Sequence, residues 1–470
     1  MDTFVYKDHK KLRCGYTTGT CAALAAQGAV RFLLTGSWKE TEEIMTPKGI
    51  PVCLSLEEKT SGDSWAECAV RKDAGDDYDV TNGILVYARA EFVKDKNFYE
   101  KVQMSHLESS GFGAAGEKPG LSPENQKQQK KANAAHQKEA LPESLVRIDG
   151  GIGIGRITKS GLDQPIGAAA INSVPRKMIR DAVYELLEEA GELRLVSITI
   201  SIPAGVEAAK KTFNPLLGIE GGISVLGTSG IVEPMSEEAL VETIRTHLNV
   251  LKAEGRKWVI AVPGNMGAGF LERYLVEHGK FCTDAHQGSN AADTDAAVEA
   301  EQMAYGALST ETEPSLLEGF MNSLVTMSNF VGKTIDLAAE LGFSGILIAG
   351  HMGKLVKIGN GIMNTHSREA DGRMDTMLSC ALSAGTEDLE LLRKIQRSNT
   401  TDEAMDHLKQ AGIIEDTINV FLKRADWHLT HRSRDEVRTG MIVFGTKGEY
   451  LGETEGADAI LRSALKELDQ

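Results

Sequence analysis

The chain is poor in the features that mark several large protein classes. Aromatic residues make up only 6% of its 470 positions, too few for the stacked platforms that bind single-stranded nucleic acid. Lys and Arg number 51 against 67 Asp and Glu, so the formal charge is −16 and no excess of cations exists to meet a phosphate backbone. A local basic pocket for a small anion is compatible with that balance. The 12 prolines fall far below the 48 glycines, which suits tight turns and backbone-lined sites better than a proline-rich disordered chain. The six cysteines, Cys14, Cys21, Cys53, Cys68, Cys282 and Cys380, contain no C-x-x-C pair, and a chain of this length needs no disulfide scaffold. Reduced thiols are expected. No apolar run approaches the ~18 residues of a spanning helix. The opening Met1-Asp-Thr-Phe-Val-Tyr-Lys lacks the charged-then-apolar pattern of a secretory leader. The expectation is a cytoplasmic protein with neither membrane nor nucleic-acid partners. Absent as well are a G-x-S-x-G elbow, a P-loop and a zinc-protease helix.

What is present is globular material, 41% hydrophobic and 25% charged, enough for roughly two to three domains. An Ala-rich segment after Thr17 predicts a helix capped by threonine and stopped at Gly36. Residues 50–56, 66–72 and 83–90 alternate with turns, as an antiparallel sheet would. A polar insertion at about 116–144 has no apolar stripe to anchor it. From Ser236 onward helices and strands alternate, which favours a parallel sheet, followed by a helical tail and a hairpin turning at 445–448. The expected fold is an α+β N-terminal domain, 1–235, and a Rossmann-like α/β C-terminal domain, 236–470.

Three segments carry candidate chemistry. Gly264-Asn-Met-Gly267-Ala-Gly269 follows a strand and opens a helix, the setting in which backbone approaches a nucleotide-like ligand. Asp284 stands about twenty residues beyond Gly264, where an acid often meets ribose hydroxyls. The spacing is G-x-x-G-x-G, so an ordinary tight turn stays open as the alternative. Gly350-His351-Met-Gly-Lys354-Leu-Val-Lys357 places a histidine and two lysines at a strand end, suited to an anion or to a solvated helix start. His366 and Arg373 lie in the polar stretch beyond Asn364. The run Asp73-Ala-Gly-Asp-Asp-Tyr-Asp79 lacks the calcium-loop pattern and reads as a structural turn. His428 and His431 have no accompanying ligand set, and no metal site is expected.

Ordered motifs spread over most of the chain resemble one family. They are Leu12-Arg-Cys-Gly-Tyr-Thr-Thr-Gly-Thr-Cys-Ala-Ala, Lys72-Asp-Ala-Gly-Asp-Asp-Tyr-Asp-Val-Thr-Asn-Gly, Gly150-Gly-Ile-Gly-Ile-Gly-Arg-Ile-Thr-Lys-Ser-Gly-Leu, Pro165-Ile-Gly-Ala-Ala-Ala-Ile-Asn-Ser-Val-Pro-Arg, Ser328-Asn-Phe-Val-Gly and Asn364-Thr-His-Ser. The chain in these stretches resembles cobalt-precorrin-5B C1-methyltransferases. The resemblance implies transfer of a methyl group from S-adenosylmethionine to C-1 of the corrinoid ring, giving cobalt-precorrin-6A in anaerobic cobalamin synthesis. It also implies a fold unlike that of the tetrapyrrole methyltransferases, with cobalt present only in the substrate. It carries no list of catalytic residues, so the roles rest on the residues themselves. Gly264, Asn265, Gly267, Gly269 and Asp284 are candidates for the methyl donor. Lys354, Lys357 and Arg373 are candidates for ring carboxylates, and His351 or His366 for proton handling. Thr17, Thr18 and Thr20 either bind the substrate at a helix N-terminus or simply cap that helix. A noncatalytic corrinoid carrier and a nicotinamide-dependent reductase are the alternative readings. Homo-oligomerisation or contacts with pathway enzymes are further expectations.

Overall fold

The computed structural model describes residues 3–7, 10–93, 145–192, 194–277 and 313–468. The insertion at 116–144 and Asp284 lie outside them. The chain is a mixed α/β protein forming two compact units, Met1–Ser236 and Glu237–Gln470.

The first unit is built on a five-stranded sheet of β1 (Glu57–Ser61), β2 (Trp65–Arg71), β3 (Leu85–Phe92), β4 (Val146–Gly150) and β5 (Val196–Ser201), in the order β1-β2-β3-β5-β4. Helix α1 (Thr18–Thr35) packs on β2 and β3 and against α2 (Ser173–Ala190). Its residues from Thr18 to Val30 are all buried, because a run of alanines lets the helix lie close to the strands. Gly28 allows the nearest approach, since a Cβ there would fall 2.5 Å from Leu56 Cδ1. The Cys68 thiol donates to the Ala25 carbonyl at 3.2 Å. Burial pushes the thiols of Cys21 and Cys68 up to about 12, so neither is a nucleophile at neutral pH. The antiparallel expectation holds for residues 66–72 and 83–90, which form β2 and β3, and for residues 50–56, whose strand Pro51–Ser55 pairs with Thr41–Met45 outside this sheet; β4, by contrast, runs parallel to β5. The physical reason is α2, which supplies the long crossover that a parallel pair needs. The acidic segment after Lys72 is a clasp. Asp73 pairs with Arg13, Asp76 accepts from Arg13 N, Asp77 accepts from Met235 N, and Asp79 receives buried Lys72 and Thr81.

The second unit has β6 (Trp258–Val262), β7 (Val325–Thr326), β8 (Gly345–His351), β9 (Arg438–Phe444) and β10 (Tyr450–Glu453) in the order β7-β6-β8-β9-β10. The first four are parallel and β10 returns antiparallel to β9. A central parallel strand is covered on both faces, and β8 is buried from Gly345 to Gly350. Period two then sorts its side chains. Ile346 and Ile348 join one core with α3 (Glu237–Ala253), α6 (Val331–Glu340), α8 (Arg373–Ser383), α9 (Leu389–Arg397), α10 (Thr401–Gln410) and α11 (Ile414–Ser433). Leu347 and Ala349 join the other, with α4 (Asn265–Glu277), α5 (Glu313–Asn322) and α12 (Ala457–Lys466). Between α6 and α8 the chain forms one short helix, α7 (Met352–Leu355), tightening at once into a 3-10 turn, Val356–Asn360. Among the described residues no helix is long and apolar enough to cross a membrane.

Candidate active site

Parallel strands β6, β8 and β9 all end on one side of the sheet, and ligands of open α/β sheets gather at that edge. After β6 the chain turns at Pro263 and Gly264 into α4, with Gly264 O accepting from Gly267 N at 3.0 Å. The three glycines of this turn have different reasons to be glycine. A Cβ on Gly267 would lie 2.9 Å from Ala349 O and 3.0 Å from Val262 Cβ, so glycine there lets α4 sit against β6 and β8. Gly264 and Gly269 have nothing within 4 Å of a built Cβ and no left-handed φ. Neither packing nor backbone conformation demands them, although glycine inside a helix costs about 1 kcal/mol. Gly269 borders open space on the surface of α4, and Gly264 stands at the turn before it. Asn265, Met266 and Gly269 line an opening of about 350 Å³, facing Phe444 and the hairpin turn at 445–448. The size lies within the range of small-molecule sites. Phe270 stacks on Phe444 with ring centroids 4.4 Å apart and on Tyr274 at 5.5 Å, fixing α4 to the strand that carries the turn.

His351, the last residue of β8, is held from both sides. Its Nδ1 accepts from Gly353 N at 3.0 Å, which caps α7, and its Nε2 meets Thr446 Oγ1 at 2.8 Å. Thr446 in turn donates to Asp402 Oδ2 at 2.6 Å. With Nδ1 accepting and the hydroxyl proton given to Asp402, the imidazole must carry its proton on Nε2. Asp402 is placed by the helix start, where Thr400 caps α10 by accepting from Glu403 N and Glu403 accepts from Asn399 N. Thr446 and Asp402 were not singled out by sequence. The hairpin turn marked the region, but nothing local links either residue to His351.

The expected cations part company here. Lys354 is half-buried, burial alone pushes its ammonium below the usual lysine range, and no carboxylate faces it among the described residues. Lys357 is buried and its ammonium donates to Thr365 O at 3.0 Å and Ala370 O at 2.7 Å. It ties down the loop before α8 instead of facing a ring carboxylate. Arg373 forms a two-pronged pair with Asp371, at 2.5 and 3.0 Å, which raises the guanidinium and lowers the carboxyl. His366 is exposed, its Nδ1 accepting from Arg368 N at 3.1 Å in the same loop. Arg368 reaches Glu237.

In the first unit the threonines are occupied internally. Thr17 caps α1 by accepting from Thr20 N at 3.2 Å, and Thr20 donates to Gly230 O at 2.7 Å. Gly19 N is taken by Leu226 O. Thr17, Thr18 and Thr20 are all buried, so the capping alternative accounts for this helix start, and it leaves the Thr17 and Thr20 side chains committed within the fold.

A sheet whose parallel strands end at a glycine turn, an oriented histidine and an opening of about 350 Å³ places the chain among mixed α/β proteins. Comparison with known proteins narrows the class: the chain belongs to the CbiD family, whose model matches residues 5–129 and 126–234, while the CbiD C-terminal domain model matches 364–455. A protein of Ruminiclostridium cellulolyticum named cobalt-precorrin-5B C(1)-methyltransferase is 35% identical over 100% of both chains. Proteins of the same name from Thermoanaerobacter sp. and Clostridioides difficile are 36% and 33% identical, covering 88% and 98% of this chain and 87% and 99% of theirs. A crystal structure of a cobalamin biosynthesis protein (cbiD) from Archaeoglobus fulgidus aligns loosely, at 21% identity and a TM-score of 0.33, over 79% of this chain and 87% of that one.

Proposed function

We propose that the chain is an S-adenosylmethionine-dependent C-methyltransferase that methylates cobalt-precorrin-5B at C-1 to give cobalt-precorrin-6A. The carrying observation is end-to-end similarity, 35% over the whole length, to a protein named for that reaction. In this reading the C-terminal unit is a Rossmann-like domain, with the methyl donor in the opening beside Gly264, Asn265 and Gly269 and a ring carboxylate on Lys354. Cobalt enters only with the substrate, in the cytoplasm. A sulfonium methyl group is already activated: an electron-rich ring carbon attacks it in line, the S–CH3 bond breaks and its electron pair leaves on sulfur as the neutral thioether S-adenosylhomocysteine, so no protein nucleophile is required. Holding donor and ring in register contributes up to roughly 7–11 kcal/mol in ideal intramolecular systems. The raised, protonated thiols of Cys21 and Cys68 accord with a mechanism that uses none.

The test is mass spectrometry after anaerobic incubation with cobalt-precorrin-5B and methyl-labelled donor. Gain of one labelled methyl, mapped to C-1, is expected. Ring binding by folded protein without label transfer would make it a carrier instead. The donor position has its own check in Gly269→Ala. An added methyl in a helix raises stability by about 0.5–1 kcal/mol, while the same methyl intrudes on the opening and weakens donor binding. Thermal unfolding and calorimetric titration should therefore move in opposite directions. Higher stability with unchanged donor affinity would remove Gly269 from the site.

A further inference from the structure

The opening beside α4 carries three polar groups whose combination matches one kind of ligand end. Arg273, two turns along α4, and Lys447 of the hairpin turn both line it. Neither has a carboxylate partner among the described residues. The guanidinium is accommodated by Gly448, where a built Cβ would stand 2.4 Å from Arg273 Nη2 and where φ is +78°. The nearest acid of the turn, Glu449, is drawn into it instead, accepting from Lys447 N at 2.9 Å. Thr446, also on the opening, is a hydroxyl of fixed polarity. It receives Nε2–H of His351 and gives its own proton to Asp402, so its remaining lone pair is an acceptor backed by a carboxylate.

Two cations with no carboxylate partner among the described residues, beside an oriented acceptor, form the complement of an α-amino-acid zwitterion. We propose that this opening grips the methionine end of the methyl donor: Arg273 and Lys447 hold its carboxylate, and Thr446 accepts from its ammonium, with Asp402 behind it and His351 as a positioning residue. The inference rests on the reading that the donor occupies this opening. It gives His351 a structural task at the site, because both ring nitrogens are already engaged.

Three ligands separate the contacts. S-adenosylmethionine has both charged groups, its decarboxylated form lacks only the carboxylate, and methylthioadenosine lacks both. In calorimetric titrations of the full chain, an Arg273→Ala, Lys447→Ala double variant should bind S-adenosylmethionine about 10–100-fold more weakly, as loss of charge-assisted hydrogen bonds implies. Its affinity for the decarboxylated form and for methylthioadenosine should be unchanged. Thr446→Val should weaken both amine-bearing ligands about tenfold, spare methylthioadenosine and be rescued by Thr446→Ser. It should also release the Nε2–H tautomer of His351 in nitrogen NMR spectra. Equal losses for all three ligands, or none, would overturn the proposal while leaving donor binding in place. A wild-type chain that binds no donor, or one whose donor affinity ignores Gly269→Ala, would instead take down the site reading beneath it.

Discussion

Asp79→Ala should destabilise the N-terminal unit by about 3–5 kcal/mol, the range for breaking one half of a buried ion pair. Lys72 is only 4% exposed and its ammonium is met by Asp79 and Thr81. Without the carboxylate a buried positive charge keeps a hydroxyl and little else. Burial alone would raise the Asp79 carboxyl, but the Lys72 charge and the hydrogen bonds from Lys72 and Thr81 outweigh it, and the group sits below its ordinary range. A depressed folded-state pKa stabilises the fold above the unfolded value, near 3.9, and that contribution disappears as pH falls through the folded value. Urea unfolding followed by circular dichroism should thus show the largest deficit at neutral pH, narrowing in acid. A joint Lys72→Met, Asp79→Leu variant should recover much of the loss, since it removes both desolvated charges. A deficit under 1 kcal/mol at pH 7 would mean that the clasp contributes little to the fold.

Lys357→Met should be the most damaging change in the loop before α8. Methionine fills the space of the lysine stem but donates nothing, so the carbonyls of Thr365 and Ala370 lose their partner. Charged hydrogen bonds contribute about 1.5–3 kcal/mol each, and burying an unmet acceptor costs a similar amount; a net loss of roughly 3 kcal/mol is expected. Because the anchor holds residues 361–372, hydrogen exchange and proteolysis there should accelerate before the rest of the unit responds. Normal loop protection combined with weakened corrinoid binding would return Lys357 to the ligand-facing role that its sequence suggests.

That residue shows where reading from sequence stops. Lys354 and Lys357 are three apart, which on a continuous helix puts them on one side. The helix lasts only four residues before a 3-10 turn, and Lys357 in that turn is buried under the loop that follows, its ammonium taken by the carbonyls of Thr365 and Ala370, partners that no spacing in the segment announces. The glycine turn was legible because a strand, a glycine cluster and a helix follow one another in the chain, and strand β8 because its run from Ile346 to Ala349 is wholly apolar. Pairs such as Phe4–Lys7 with Lys10–Arg13, or Thr41–Met45 with Pro51–Ser55, hid one or both partners among lysines and glutamates on exposed faces. Thr446 and Asp402 reach His351 from 95 and 51 positions away along the chain, a meeting that only the sheet and the helical tail bring about. Arg273 carries no local signal of its own, and only the fold sets the hairpin turn opposite it.

The sealed cysteines of the first unit have a consequence for anyone handling the protein. Cys53 is exposed, whereas Cys14, Cys21, Cys68 and Cys380 are buried. Among the described thiols, then, an oxidant or alkylating reagent meets Cys53 first. Cys21 and Cys68 come within reach only when α1 lifts from its sheet, so the rate at which they react is a clock for the opening of that core.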